Sequence, residues 1–197
     1  LSGAGLAQAA IFGGWLTAAF AGMQFLAGPV LGSLSDGFGR RPVLLVSLSA
    51  FGLSYVLMAL APTLAWLFAA QLLTGLFGAT PATAGAYIAD VTPPAERARH
   101  FGSLAAAFGL GLISGPAAGG LLAEHGTRVP FYATAVLSLA TVAYGALALP
   151  ESLRPELRRA FSWRRANPLG AIGALRRHAR IGLLLAAVFL QRVSTTA

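Results

Sequence analysis

Long apolar runs alternate with short polar breaks along the whole chain. Five complete runs cover residues 11–34, 43–61, 64–89, 101–122 and 130–149, and a sixth opens near 181 and reaches the last residue. A helix needs about 20 mainly apolar residues to cross a bilayer. Each complete run therefore predicts one membrane-spanning helix, and the sixth predicts part of another. Residues 1–10 read as the tail of an earlier loop. The breaks carry turn and helix-end chemistry. Between the first two runs, Asp36 and Arg40 are four residues apart, Gly37 and Gly39 permit a sharp reversal, and Pro42 suits the first position of a new helix. Thr92 and Pro93 read as the N-cap and first residue of the fourth span, with Glu96 in its first turn. Pro81 and Pro116 predict kinks within spans. Glycines at helical spacing (Gly28 with Gly32, Gly75 with Gly78, and Gly111, Gly115 and Gly119) predict close helix packing. The expected organisation is an all-α integral membrane bundle over 1–149, a basic loop over 150–180, and the start of a further span over 181–197.

Composition agrees. Of 197 residues, 56% are hydrophobic and only 10% charged, against about 25% charged in soluble domains. Mean hydropathy is +0.72. The net charge of +8 raises the question of nucleic acid, but the positions of the basic residues exclude it as a partner. All 14 are arginines, and twelve of them (Arg40 and Arg41, Arg97 and Arg99, and eight within 150–180) fall in alternate breaks. That asymmetry places these breaks in the cytoplasm and the 61–63 and 123–129 connections on the opposite face. Arg128 stands on the outer side, and Arg192 lies in the last apolar run. With no cysteine, disulfides and thiolate metal sites are excluded. Abundant alanine, glycine and arginine without lysine fit a GC-rich bacterial source. The chain opens without methionine and ends inside an apolar run, so it reads as a piece of a longer protein. Within the basic loop, residues 169–175 suit either a helix on the membrane surface or a solvated linker.

The first break carries a recognisable motif. Gly32-Ser33-Leu34-Ser35-Asp36-Gly37-Phe38-Gly39-Arg40-Arg41-Pro42 resembles the signature of the major facilitator superfamily, which links the second and third of twelve transmembrane helices. The resemblance implies a helical bundle running from about helix two to part of helix seven. It also implies a gating charge network of Asp36, Arg40 and Arg41 with Asp90, which closes the third run. Physically, Asp36 at the end of its helix needs a cation, because the helix dipole disfavours an anion there. Gly32, Gly39 and Arg97 belong to the same motif regions. A second stretch, Gly111-Leu112-Ile113-Ser114-Gly115-Pro116-Ala117-Ala118-Gly119-Gly120, looks like the helix-five motif of proton-coupled exporters. Longer stretches, such as Ala84-Gly85-Ala86-Tyr87-Ile88-Ala89-Asp90 and Glu96-Arg97-Ala98-Arg99-His100-Phe101-Gly102, resemble the tetracycline efflux branch.

The resemblance implies proton-coupled efflux of a drug-like molecule, with the lipid bilayer, protons and the carboxy-terminal half of the transporter as partners. No cofactor is expected beyond the proton gradient. Four positions depart from the pattern: Gly37 where relatives commonly carry arginine, Ser54 in place of a helix-three aspartate, Gln71 in place of a helix-four arginine, and Arg192 in an apolar span. A charge at a helix centre costs about 2.5–3.5 kcal/mol and marks an ion path. Ser54 and Gln71 do not titrate, so an importer or uncoupled facilitator of the same superfamily, or a non-functional piece, fits the same residues. Gln24, Ser54, Gln71, Gln191 and Arg192 are the polar groups available to a substrate path. An embedded enzyme is disfavoured: His100, His125 and His178 lie in or beside loops, and no two acidic residues share a span.

Overall fold

The computed structural model describes residues 3–78, 80–163, 166 and 167. Among these residues the chain forms helices α1 (Gly3–Phe38), α2 (Arg40–Ala59), α3 (Leu64–Phe77), α4 (Thr80–Val91), α5 (Arg97–Ala123) and α6 (Val129–Ala148), then a 3-10 turn at Pro155–Leu157. Five stretches are long and apolar enough to span a membrane, with α3 and α4 together making one of them. The sixth apolar run, the 169–175 segment, Gln191 and Arg192 lie outside the described residues.

Helix boundaries correct the sequence reading in four places. Residues 3–10 are helical, extending α1 rather than ending a loop. The polar break at 36–42 contracts to a single residue. Asp36 sits inside α1, Arg40 opens α2, and only Gly39 lies between them, with φ 111° and ψ 158°. Only glycine adopts that conformation without strain. Pro42 is the third residue of α2, not the first, where its missing N–H is still one of the donors a helix leaves unused. Finally, α5 starts at Arg97, so Thr92 is not its N-cap and Glu96 occupies the cap position instead. Pro94 explains the delay, because a proline disfavours helical geometry in the residue before it, here Pro93.

The third span is broken rather than merely kinked. Pro81 has no N–H for the Phe77 carbonyl, four residues earlier; the Thr80 hydroxyl donates to that carbonyl at 3.1 Å instead. Gln24 of α1 donates its side-chain amide to the Gly78 carbonyl at 2.6 Å. Neighbouring side chains thus satisfy the backbone freed by the break, as the bilayer requires. By contrast, Pro116 is carried within a continuous α5.

Packing relies on small residues. A Cβ at Gly75 would stand 2.6 Å from the Phe20 carbonyl oxygen, so α3 and α1 approach backbone to backbone. Gly52 brings α2 against Ser138 of α6, and Gly145 brings α6 against Leu45. Most of the buried set is likewise small or hydroxylated (Ala27, Ala59, Ala70, Ala135, Ser35, Ser47, Ser54, Thr74 and Thr83), with Leu31, Leu44 and Met58 as larger members within the helices. This composition suits helix packing in lipid, where close approach and hydrogen bonds replace the hydrophobic effect. No residue of α5 is buried, and Gly111, Gly115, Gly119 and Gly120 face open space, so the expected close packing of that stripe is absent here. At the end opposite the arginine-rich loops, Arg128 donates to the Ala61 carbonyl at 3.3 Å, tying the 61–63 and 123–129 connections to the same face.

Candidate functional site: the cytoplasmic charge network

The one-residue link at Gly39 turns the ends of α1 and α2 toward each other. Arg40 then reaches back across the turn, its Nη1 lying 2.5 Å from Asp36 Oδ1. Nη1 also donates to the Ser35 hydroxyl at 2.7 Å, and Nε donates to Asp90 Oδ2 at 3.1 Å. One planar guanidinium therefore joins α1, α2 and α4. This is a task for a forked donor, which a point charge cannot perform. The Arg40 side chain is only 13% exposed, while Asp36 and Asp90 are 39% and 25% exposed. Fully exposed pairs are worth about 0–1 kcal/mol, and breaking buried ones costs about 3–5 kcal/mol. With this intermediate burial, loss of Arg40 falls between, at about 1–3 kcal/mol.

The other predicted arginines go elsewhere. Arg41 points along α2 and donates to the Ala146 carbonyl at 2.5 Å, satisfying the last turn of α6 with a cation where the dipole favours one. Arg97 closes the end of α4, donating to Ala89 and Thr92 carbonyls at 3.0 and 3.2 Å. It does not meet Asp36 or Asp90. Gly32 has open space at its Cβ position, and its carbonyl accepts from Ser35 at 2.8 Å.

Residues that sequence reasoning missed come from the segment after α6. Glu151 Oε1 accepts from the Arg40 backbone N–H at 2.9 Å and from its own neighbour Leu153 at 3.0 Å, capping the start of α2. Partial burial pushes this carboxyl upward. The N–H groups of Leu153, Arg40 and Arg41, with the charge of Arg158, outweigh it and hold the carboxyl below its usual range. Glu151 and Arg41 thus exchange caps between α2 and α6. Further along, Ser152 Oγ donates to Asp90 at 3.4 Å, the Tyr87 hydroxyl donates to the Pro150 carbonyl at 3.0 Å, and the Arg159 N–H donates to the Asp36 carbonyl at 2.9 Å. This segment, residues 150–163, forms a strap that crosses directly over Gly37, where a Cβ would come within 3.1 Å of the Arg159 carbonyl. The departure to glycine at 37 therefore makes room for the strap's backbone. Between strap and network lies a cavity of about 390 Å³ lined by Asp36, Arg40, Asp90, Leu153, Leu157 and Arg159. A lone carboxylate directly after an apolar run, among arginines, was the available signal for Glu151.

The remaining predicted residues are not brought to this site. Ser54 is fully buried, donating to Phe51 and accepting from Thr74 of α3 at 2.8 Å, an interhelical bond within the core. Gln24 is engaged at the α3–α4 break, and Gln71 is half-buried on α3. Gly111, Gly115, Pro116, Gly119 and Gly120 line α5, away from the network. Among the described residues no group of three or more His, Asp or Glu side chains converges as a metal site.

Comparison with known proteins gives this geometry a context. The family model described as Major Facilitator Superfamily matches residues 4–196. The chain is 44% identical over 180 residues to the tetracycline resistance protein, class C, of Escherichia coli, covering 91% of this chain and 45% of that protein. It is 47% identical over 128 residues to the class B protein of the same species, covering 65% and 32%. Among solved structures it is similar to the human organic anion transporter MFSD10 (TETRAN), with a TM-score of 0.69 and 31% identity over 76% of this chain and 34% of that one. The chain spans less than half the length of these relatives.

Proposed function

This chain belongs to the Major Facilitator Superfamily, and from that premise we propose that it lies in the tetracycline efflux branch and supplies helices of the amino-terminal half, from about helix two onward, of a proton-coupled exporter of tetracycline-type molecules in a bacterial inner membrane. The observation that carries the reading is the Arg40 clasp on Asp36 and Asp90. It fastens the cytoplasmic ends of α1, α2 and α4 into one closed unit, and transport of a solute needs such a closure to make and break in turn. The name and identity of the tetracycline resistance relatives support the substrate class.

In this mechanism the helices rock as units about a site near the bilayer midplane, completed by the other half of the transporter. The Arg40 clasp and the Glu151 strap hold the cytoplasmic side shut while the other side is open. Releasing Arg40 from Asp90 frees α4 from the α1–α2 turn. One proton moving down 100 mV yields about 2.3 kcal/mol, comparable to the cost of releasing such a partly exposed arginine. Ser54 and Gln71 carry no exchangeable charge, so the coupling protons are handled by other residues of the transporter. Everted vesicles containing the transporter test this. Tetracycline added to energised vesicles should release protons and accumulate label; vesicles that accumulate tetracycline without proton release would point to an uncoupled carrier, and vesicles that do neither with any tetracycline would refute export.

A further inference from the structure

The strap that locks the network also presents a surface the closure does not use. It is tied down at Glu151 through the Arg40 N–H and at Arg159 through the Asp36 carbonyl. Leu153 within it is buried, but residues 154–160 are exposed and include the 3-10 turn Pro155–Leu157. Leu157 is 64% exposed and Trp163 is 74% exposed, the latter edge-on to Phe161 at 5.0 Å between ring centres. Phe38, the last residue of α1, is also exposed and directly follows Gly37, over which the strap crosses. Arg154, Arg158 and Arg159 are interleaved with these apolar groups; of the two exposed acids, Glu151 is held by the Arg40 N–H and Glu156 lies within the turn.

We propose that this strap is an anchoring surface for anionic phospholipid headgroups of the cytoplasmic leaflet, with Arg154, Arg158 and Arg159 on the phosphates and Leu157 and Trp163 seated in the interface. Three facts favour lipid over another occupant. The strap lies against the cytoplasmic ends of α1 and α2, at the boundary where these membrane-length helices stop, so a headgroup layer is its nearest neighbour. Its charge is opposite to that of an anionic leaflet. Its exposed tryptophan is of the type that collects at membrane interfaces, where an apolar ring and a polar N–H are both accommodated. Because the strap is bonded to Asp36, Arg40 and Asp90, seating it would also steady the closed network.

The test uses the 197-residue chain in nanodiscs, with Trp15→Phe and Trp66→Phe leaving Trp163 as the sole tryptophan. In phosphatidylcholine discs containing phosphatidylglycerol, Trp163 emission should shift to shorter wavelength and be quenched by a nitroxide lipid labelled at headgroup level. In pure phosphatidylcholine, or in 1 M salt where screening extends to about 3 Å, both effects should recede. Arg154→Gln with Arg159→Gln should lower the seated-to-free ratio about fivefold per charge removed. Water-exposed emission in both lipids would overturn the proposal. So would quenching that is equal with and without phosphatidylglycerol, since the aromatic ring would then be seated without headgroup recognition. The lipid and salt comparisons leave the arginines intact, so the proposal stands or falls even where the double variant unfolds.

Discussion

Replacing Gly39 by alanine should damage this protein more than any other single-methyl change in the cytoplasmic turn. At φ 111° and ψ 158° an L-residue is strained by about 1–3 kcal/mol. The added Cβ would also collide with the Glu151 carboxylate, which sits directly against the Gly39 Cα. Glu151 would have to leave the Arg40 N–H that it holds at 2.9 Å. A charge-assisted bond of this kind is worth about 1.5–3 kcal/mol when sheltered; exposure of this carboxylate reduces it to about 0.5–1 kcal/mol. Together the two effects predict a loss of about 1.5–4 kcal/mol. Sodium dodecyl sulfate unfolding of the purified protein in mixed micelles, followed by circular dichroism, measures it. Glu151→Ala separates the two effects. With the carboxylate gone, Gly39→Ala should cost about 0.5–1 kcal/mol less than in the parent, and this difference is the coupling energy. A Gly39→Ala cost under about 0.5 kcal/mol would refute the strained turn. Strict additivity with Glu151→Ala would refute the contact between them.

Arg40→Lys should fail to restore the clasp, because one ammonium cannot serve Asp36, Ser35 and Asp90 together; we expect closed-state stability to fall by about 1–2 kcal/mol. Hydrogen–deuterium exchange at residues 35–41 and 150–159 should then quicken about five- to thirtyfold, and unchanged exchange would count against the clasp. The depressed carboxyl of Glu151 contributes stability above its ordinary value of 4.5 and loses it as pH falls through the lower folded-state value. Glu151→Gln should therefore destabilise the protein evenly between pH 6 and 8, and the difference from parent should shrink only in acid below about pH 4.5. Unfolding curves that converge near neutrality would contradict this. Gln24→Leu leaves the Gly78 carbonyl without its donor and should cost about 0.6–1.7 kcal/mol in micelle unfolding. Gly75→Ala, which must move α1 from α3, should cost about 1–3 kcal/mol in the same assay.

The positions of the spans were legible because a bilayer imposes length and polarity on any segment that crosses it. Arginine placement sorted the connections into two faces for a similar reason, and the Arg128 contact with Ala61 brings the 61–63 and 123–129 connections together at one end of the bundle. Asp36, Arg40 and Asp90 were recognisable as a set from a helix-end anion in need of a cation and from a family motif. Arg97 was grouped with them as part of the same motif regions, yet its guanidinium donates to the Ala89 and Thr92 carbonyls at the end of α4. Ser54 and Gln24 looked like candidates for a path because they are polar in apolar spans. Whether such a group faces a path or bonds to a neighbouring helix depends on helix rotation, which spacing along one helix does not set.

Sequence alone determined that this chain is a membrane bundle with a charged turn between its first two spans, since hydropathy and charge act residue by residue. Tertiary structure decided how that turn is built. A single glycine links the two helices, one guanidinium spans three of them, and the chain after α6 returns to cap α2 with Glu151. Residue 151 is 111 positions from its partner Arg40. Only the side-by-side packing of α2 on α6 brings the end of one helix to the start of the other, and no local pattern records that meeting.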